Sequence, residues 1–243
     1  MAETPHILSY EHVTEPPVRG GRAALGCAIL ALEAALLLAY RYIGEPAMAE
    51  LPLAGVGRRE ATALATAVYS LLSVCVPAGV WFLAGAKPAR MEAGRVAGAW
   101  RGRAALGIAA FYSGLRLVSG AIWIQYIMGR GAAGELRHGV ALLSCASILA
   151  LATLQAAGWL YMADVSARLR RRAFLPLATA AFGVSLALLG VALAANLDAL
   201  SPMLTPELRG AARWVARGTA LSIVQTVYWA VTAGMLMPRR WNG

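Results

Sequence analysis

The stretch AALGCAILALEAALLLAYRYI, residues Ala23 to Ile43, decides the class of this chain. It is 21 residues long and made mostly of Ala and Leu. A helix needs about 20 such residues to cross the apolar core of a bilayer. Five more runs of the same kind follow, at residues 62–86, 104–128, 139–163, 174–197 and 212–237. Together they predict an all-α fold, a polytopic transmembrane bundle of six spans. The connections are too short to hold a soluble domain. Residues 21–243 therefore read as a single six-helix transmembrane domain. Residues 1–20 are polar, contain Pro5, Pro16 and Pro17, and read as a cytoplasmic tail.

Composition agrees. The chain is 59% hydrophobic and only 14% charged, far from the soluble average. Its net charge of +10 would point to nucleic acid in a soluble protein. Between membrane spans, basic residues set topology and meet anionic headgroups instead. The expected partner is thus a lipid bilayer with anionic headgroups, and no nucleic acid. Cys27, Cys75 and Cys145 are scattered through separate spans, with no metal-ligand spacing, and read as packing residues. The first run is longer than a signal-peptide core. A charged segment also separates it from the cleavage-like Ala47-Met48-Ala49, so it reads as an uncleaved helix.

Counting Lys and Arg by connection gives 13 on the side of the termini and 8 on the other. The bias places both termini in the cytoplasm, with a bacterial cytoplasmic membrane as the expected location. Thr205-Pro206-Glu207 has the form of a helix start: a threonine cap, a proline in the first helical position and an acid in the first turn. The sixth helix should begin there. Pro77 should kink the second span. The openings Arg22-Ala23-Ala24-Leu25-Gly26 and Arg103-Ala104-Ala105-Leu106-Gly107 resemble each other, with Arg172 opening the fifth span. Glu-Leu recurs at Glu50, Glu135 and Glu207 in the three outer connections. These matches suggest three tandem helical hairpins, although a chain rich in Ala, Leu, Gly and Arg also produces such matches by composition.

The sharpest chemical signal is a pair of mid-membrane charges, Glu33 in the first span and Arg116 in the third. Both spans run in the same direction, so the two lie at similar depth. A lone charge at the bilayer centre costs roughly 2.5–3.5 kcal/mol. An ion pair facing the bundle interior is the economical solution. It would serve either as a site or as a packing bridge. Tyr112, Ser113 and Ser119 flank Arg116, with Gln155 and Gln225 on other spans. These five are candidate polar lining, or interhelical hydrogen-bond glue. Arg209, Arg213 and Arg217 recur every four residues and share a helical face. With Arg59 and Arg137 they are candidate outer contacts for an anion or for headgroups.

No cofactor and no metal site are expected. The three histidines lie outside mid-membrane positions, and no His-Glu-x-x-His is present. No catalytic residue stands out either. Tyr112-Ser113-Gly114 lacks the leading glycine and partner histidine that an intramembrane serine protease would need. Two main functions remain. One is a non-catalytic membrane subunit or scaffold, self-associating or bound to other membrane subunits. The heptad-spaced small residues Gly107, Gly114 and Ala121, and likewise Gly183 and Gly190, would serve as packing faces. The other is a small transporter or channel for an anionic solute, using Glu33 and Arg116. An intramembrane enzyme is a third and weaker reading. A cavity reaching Arg116 favours transport, and a packed bundle with an apolar flank favours the subunit.

Overall fold

The computed structural model describes residues 20–44, 57–86, 90–92, 95–97, 99–129, 133–169, 174–216 and 218–236. The polar tail, the cleavage-like segment, Glu50 and Arg217 lie outside the described residues, as do the side chains of Glu135, Arg137 and Arg172. The first span is α1 (Gly20–Ala39), prolonged by a π-helical turn at Tyr40–Gly44. The second is α2 (Arg58–Leu72) followed by α3 (Cys75–Ala86). A short antiparallel hairpin, β1 (Arg90–Glu92) and β2 (Arg95–Ala97), lies before α4 (Ala99–Ile127), the third span. The fourth and fifth are α5 (Ala133–Leu169) and α6 (Phe174–Leu200). The sixth is α7 (Pro206–Ala216) with α8 (Thr219–Leu236). Six helical spans are long and apolar enough to cross a membrane, and the protein is a six-span helical bundle.

Each span packs on its neighbours in sequence, and α1 closes the circuit against α8. One apolar cluster draws on all six spans, including Cys27 and Leu30 on α1, Leu83 on α3, Ala109 on α4, Met162 on α5, Ala178 on α6 and Trp229 on α8. The pattern inverts that of a water-soluble protein. On α1 the buried apolar side chains are the small Ala23, Ala24, Cys27 and Ala34 together with Leu30, while the larger Leu25, Leu32 and Leu36 face outward. Lipid tails accept exposed leucine without cost, so association relies on close packing of small side chains. The helices α1 and α3 cross closely. A Cβ on Gly26 would lie 2.9 Å from the Gly79 carbonyl oxygen, and one on Gly79 would lie 2.7 Å from Leu30 Cγ.

The second span breaks four residues before Pro77. Proline lacks an N–H and clashes with the carbonyl four residues back, here Ser73. The helix interrupts at Ser73 and Val74, where Ser73 N–H turns to Ser70 O at 3.3 Å and Val74 N–H to Leu71 O at 3.0 Å. Upstream, hydroxyls bond back along α2: Thr66 to Thr62 O, Ser70 to Thr66 O and Ser73 to Ser70 O, at 2.6–2.9 Å. Such back-bonding satisfies hydroxyls away from water and bends helices.

The sixth span starts where the sequence indicates, with Leu208 N–H on the Thr205 hydroxyl at 3.4 Å. It is two helices rather than one. Gly218 stands between them with φ of 81°, a left-handed conformation open to glycine at little cost. The run of α8 alone is 18 residues, about 27 Å of helix, close to the thickness of the bilayer core.

Candidate functional site

A cavity of about 450 Å³ opens in one half of the bundle. It lies toward the end at which α1 terminates and α2 begins. The π-helical turn supplies Tyr40 and Arg41, and α2 supplies Thr62, Thr66, Tyr69 and Ser70. From α4 come Arg116, Ser119, Gly120 and Trp123, and from α5 Val140 and Ser144. The other half of the bundle holds most of the apolar cluster. The cavity therefore ends on a packed floor.

Local sequence explains how each wall forms. On α2 the polar positions 62, 66, 69 and 70 follow the helical period, so they share one face of an otherwise apolar span. On α4, Arg116, Ser119, Gly120 and Trp123 are spaced i, i+3, i+4 and i+7 and also share a face. Gly120 lets α4 come against α2, because a Cβ there would collide with the Ser70 side chain. The π-helical turn widens α1 by one residue per turn. It carries Tyr40 and Arg41 onto the cavity wall.

Tyr69 organises the charge. The Arg116 guanidinium lies 4.5 Å from its ring centroid and that of Arg41 lies 5.2 Å from it. The Arg41 side chain also interacts with the Tyr69 hydroxyl. The Tyr40 ring stands 6.1 Å away, centroid to centroid. A desolvated cation over an aromatic face gains about 2 kcal/mol or more, which offsets part of the cost of burying Arg116. Its Nε, however, is buried without a hydrogen-bond partner.

The two mid-membrane charges come within electrostatic range of each other. Glu33 is 5% exposed and lies behind the cavity wall rather than on it. Among the described residues no ion pair joins Glu33 to Arg116, because the guanidinium is turned onto Tyr69. Of the expected polar lining, Ser119 faces the cavity. Tyr112 and Ser113 are buried between helices, and Ser113 donates to the Ser73 carbonyl at 2.6 Å. Gln155 lies at a separate narrow crevice with Trp159, Phe182 and Trp229. The Gln225 side-chain nitrogen is buried without a hydrogen-bond partner, away from the cavity.

The arginines expected as contacts for an anion or for headgroups divide. Arg209 is bound to Asp198, with Nε at 2.6 Å from Oδ2 and Nη2 at 3.4 Å from Oδ1. Asp198 also accepts the backbone N–H groups of Met203 and Leu204, each at 2.8 Å. This arrangement closes the connection between α6 and α7. Arg213 is exposed, and Arg59 is exposed near Gly129. Among the described residues no three His, Cys, Asp or Glu side chains converge as a metal site would require.

Tyr69 and Arg41 are the residues that the sequence reading missed. The periodic polar stripe on the second span was the available signal for Tyr69. Arg41 entered only the topology count, since nothing in the sequence marks a π-helical turn. The chain matches no protein-family model, no curated protein and no solved structure.

Proposed function

We propose that the protein binds a small organic anion in this cavity and carries it across the membrane. The observation behind this reading is a cavity of about 450 Å³ that reaches a guanidinium whose buried Nε lacks an acceptor. An unsatisfied buried donor costs about 1–3 kcal/mol. An arginine kept only for packing gains most from a carboxylate partner. Arg116 is instead held against the aromatic face of Tyr69, and its side chain forms part of the cavity wall. A volume of this order is typical of small-molecule pockets. The asymmetry favours transport over static binding, since a vestibule in one half and a packed floor in the other is one end-state of alternating access. With the termini in the cytoplasm, as the basic count indicates, the vestibule belongs to the outer half.

Thermal unfolding of the purified protein in detergent, against a panel of organic anions and their neutral amides, tests this reading. Some anions are expected to raise the melting temperature by several degrees, and Arg116→Gln to abolish the rise. Equal stabilisation by the amides, or none by any anion, overturns it.

The second reading is a membrane subunit, and one observation favours it. A Cβ added at Gly107, Gly114, Gly183 or Gly190 would meet nothing within 4 Å, so these small faces are uncovered in the single chain. If they are interfaces, the protein self-associates or captures a partner in the membrane, and Gly114→Leu dissociates it. Cross-linking in native membranes decides between a single chain and an assembly.

A further inference from the structure

We infer that anion entry is coupled to proton uptake: each monoanion bound beside Arg116 brings one proton onto the Glu33 carboxylate. This rests on the anion-binding reading above and adds the ion that travels with the substrate.

Glu33 precedes Tyr40 by seven residues, two turns or about 10 Å along α1, on nearly the same helical face. Tyr40 stands in the cavity wall and Glu33 is buried, so that face of α1 runs from the wall down to the packed floor. Arg116 lies at similar depth on α4 and reaches the wall. The acid therefore sits just behind the deep end of the cavity, next to its buried cation.

Among the described residues the Glu33 carboxylate accepts no hydrogen bond and joins no ion pair. The groups that act on it or feel its charge are Tyr69 on α2, Cys75 on α3, and Tyr112 and Arg116 on α4. On α8, which packs along α1, Tyr228 faces Cys27, six residues nearer the other end of the helix. Of these groups Arg116 alone is a cation. Arg41 stands eight residues beyond Glu33, in the π-helical turn, and is engaged there with Tyr69.

A charge isolated at mid-membrane is costly, and acids at that depth commonly serve as proton sites. With the cavity empty, Arg116 offsets Glu33. A monoanion arriving beside Arg116 sets two negative charges against one cation, where a low dielectric constant strengthens their repulsion. A proton from the aqueous side then forms an O–H bond on a Glu33 carboxylate oxygen and restores the balance. When the anion leaves on the other side, that O–H bond breaks and the proton returns to water. Each cycle moves one monoanion and one proton together, with no net charge.

Calorimetry on the full-length protein in detergent measures the coupling, with acetate, benzoate and methanesulfonate as probes. Paired titrations in buffers of different ionisation enthalpy give the protons taken up per anion bound. Across about pH 6–9 the carboxylate probes stay ionised, so any uptake is by the protein. Uptake is expected to approach one proton per anion toward the basic end. Because the proton enters with the anion, affinity should fall there by about tenfold per pH unit. Glu33→Gln places a neutral amide where the protonated acid would be. It should bind the probes without proton uptake and without pH dependence. Cys75→Ser and Tyr112→Phe should keep the uptake. If Glu33→Gln does not fold, difference infrared spectra of the unaltered protein decide: methanesulfonate should bring up the C=O stretch of a protonated carboxyl group. Binding without uptake at any pH, uptake that persists in Glu33→Gln, or no such infrared band overturns the coupling and leaves the anion reading standing. No binding of any probe overturns both.

Discussion

The hydroxyl of Ser113 donates to the backbone carbonyl of Ser73 at 2.6 Å, joining the third span to the break in the second. That carbonyl would accept from residue 77 in an unbroken helix, and residue 77 is proline. It keeps a longer local donor, Val76 N–H at 3.2 Å, and takes its short bond from the neighbouring span. In the membrane the lost helical bond is thus replaced between helices, as irregular backbone buried in protein allows.

Replacing Ser113 by Ala should therefore destabilise the bundle by roughly 0.6–2 kcal/mol, the range for interhelical hydrogen bonds in membranes. The loss should shrink in a Pro77→Ala background, where an N–H is restored to residue 77. A double-mutant cycle by thermal unfolding in detergent measures the coupling. Additive losses would mean that the bond and the proline are unrelated.

Glycines separate into two groups with opposite expectations. Gly26→Ala drives a methyl onto the Gly79 carbonyl, which is backbone and cannot swing aside. Gly79→Ala meets the buried Leu30 Cγ at 2.7 Å and the Gly26 carbonyl oxygen at 3.2 Å, so it presses on the same crossing. Gly26→Ala and Gly79→Ala are each expected to cost about 1–3 kcal/mol. Gly107→Ala and Gly114→Ala meet nothing and replace a poor helix former, so up to about 1 kcal/mol of stabilisation is expected in a single chain. Loss of stability at Gly114, with dissociation of an oligomer, would turn the reading toward the membrane subunit.

The six spans were legible because a bilayer imposes length and apolarity on each one, whatever it packs against. The start of the sixth helix was legible because Thr205 and Pro206 act within one turn. The break at Gly218 was not, since glycine is common throughout these helices and only the backbone conformation sets this one apart. The depth of Glu33 and Arg116 could be read from position along the helix. Whether they touch depends on rotation about the helix axes, and Tyr69 competes for the guanidinium. The cavity wall was half legible: the stripe of Thr62, Thr66, Tyr69 and Ser70 repeats at helical spacing, while Arg41 depends on a local change of winding.

The α6–α7 connection should respond unequally to loss of its two charges. Asp198 accepts two backbone N–H groups as well as Arg209, so its removal leaves three donors without a partner. Arg209 also donates to the Leu204 carbonyl at 3.1 Å, but it is partly exposed and water can replace its bonds. Asp198→Ala is expected to lower the melting temperature more than Arg209→Ala. Asp198→Asn should fall between them, since an amide oxygen still accepts the backbone groups. Melting curves of the three variants give the order. An equal loss for Asp198→Ala and Arg209→Ala would mean that the ion pair alone holds the connection.

Arg116 has two neighbours that can offset its charge, Tyr69 by direct contact and Glu33 at longer range. Breaking a directly paired buried ion costs about 3–5 kcal/mol. Without that contact, the coupling of Glu33 to Arg116 is expected to fall below this range. The coupling of Tyr69 should approach the roughly 2 kcal/mol of a desolvated cation over a ring. Unfolding of Glu33→Leu, Arg116→Leu and the double variant gives the first coupling, and Tyr69→Leu with Arg116→Leu gives the second. Tyr69→Phe keeps the ring and should retain most of it. The double variant Glu33→Leu with Arg116→Leu should recover part of the stability and none of the anion binding, because the cavity then lacks its buried cation. A Glu33 coupling as large as that of a contact pair would mean that the two charges meet directly in the membrane, leaving Tyr69 as a neighbour and not a holder of Arg116.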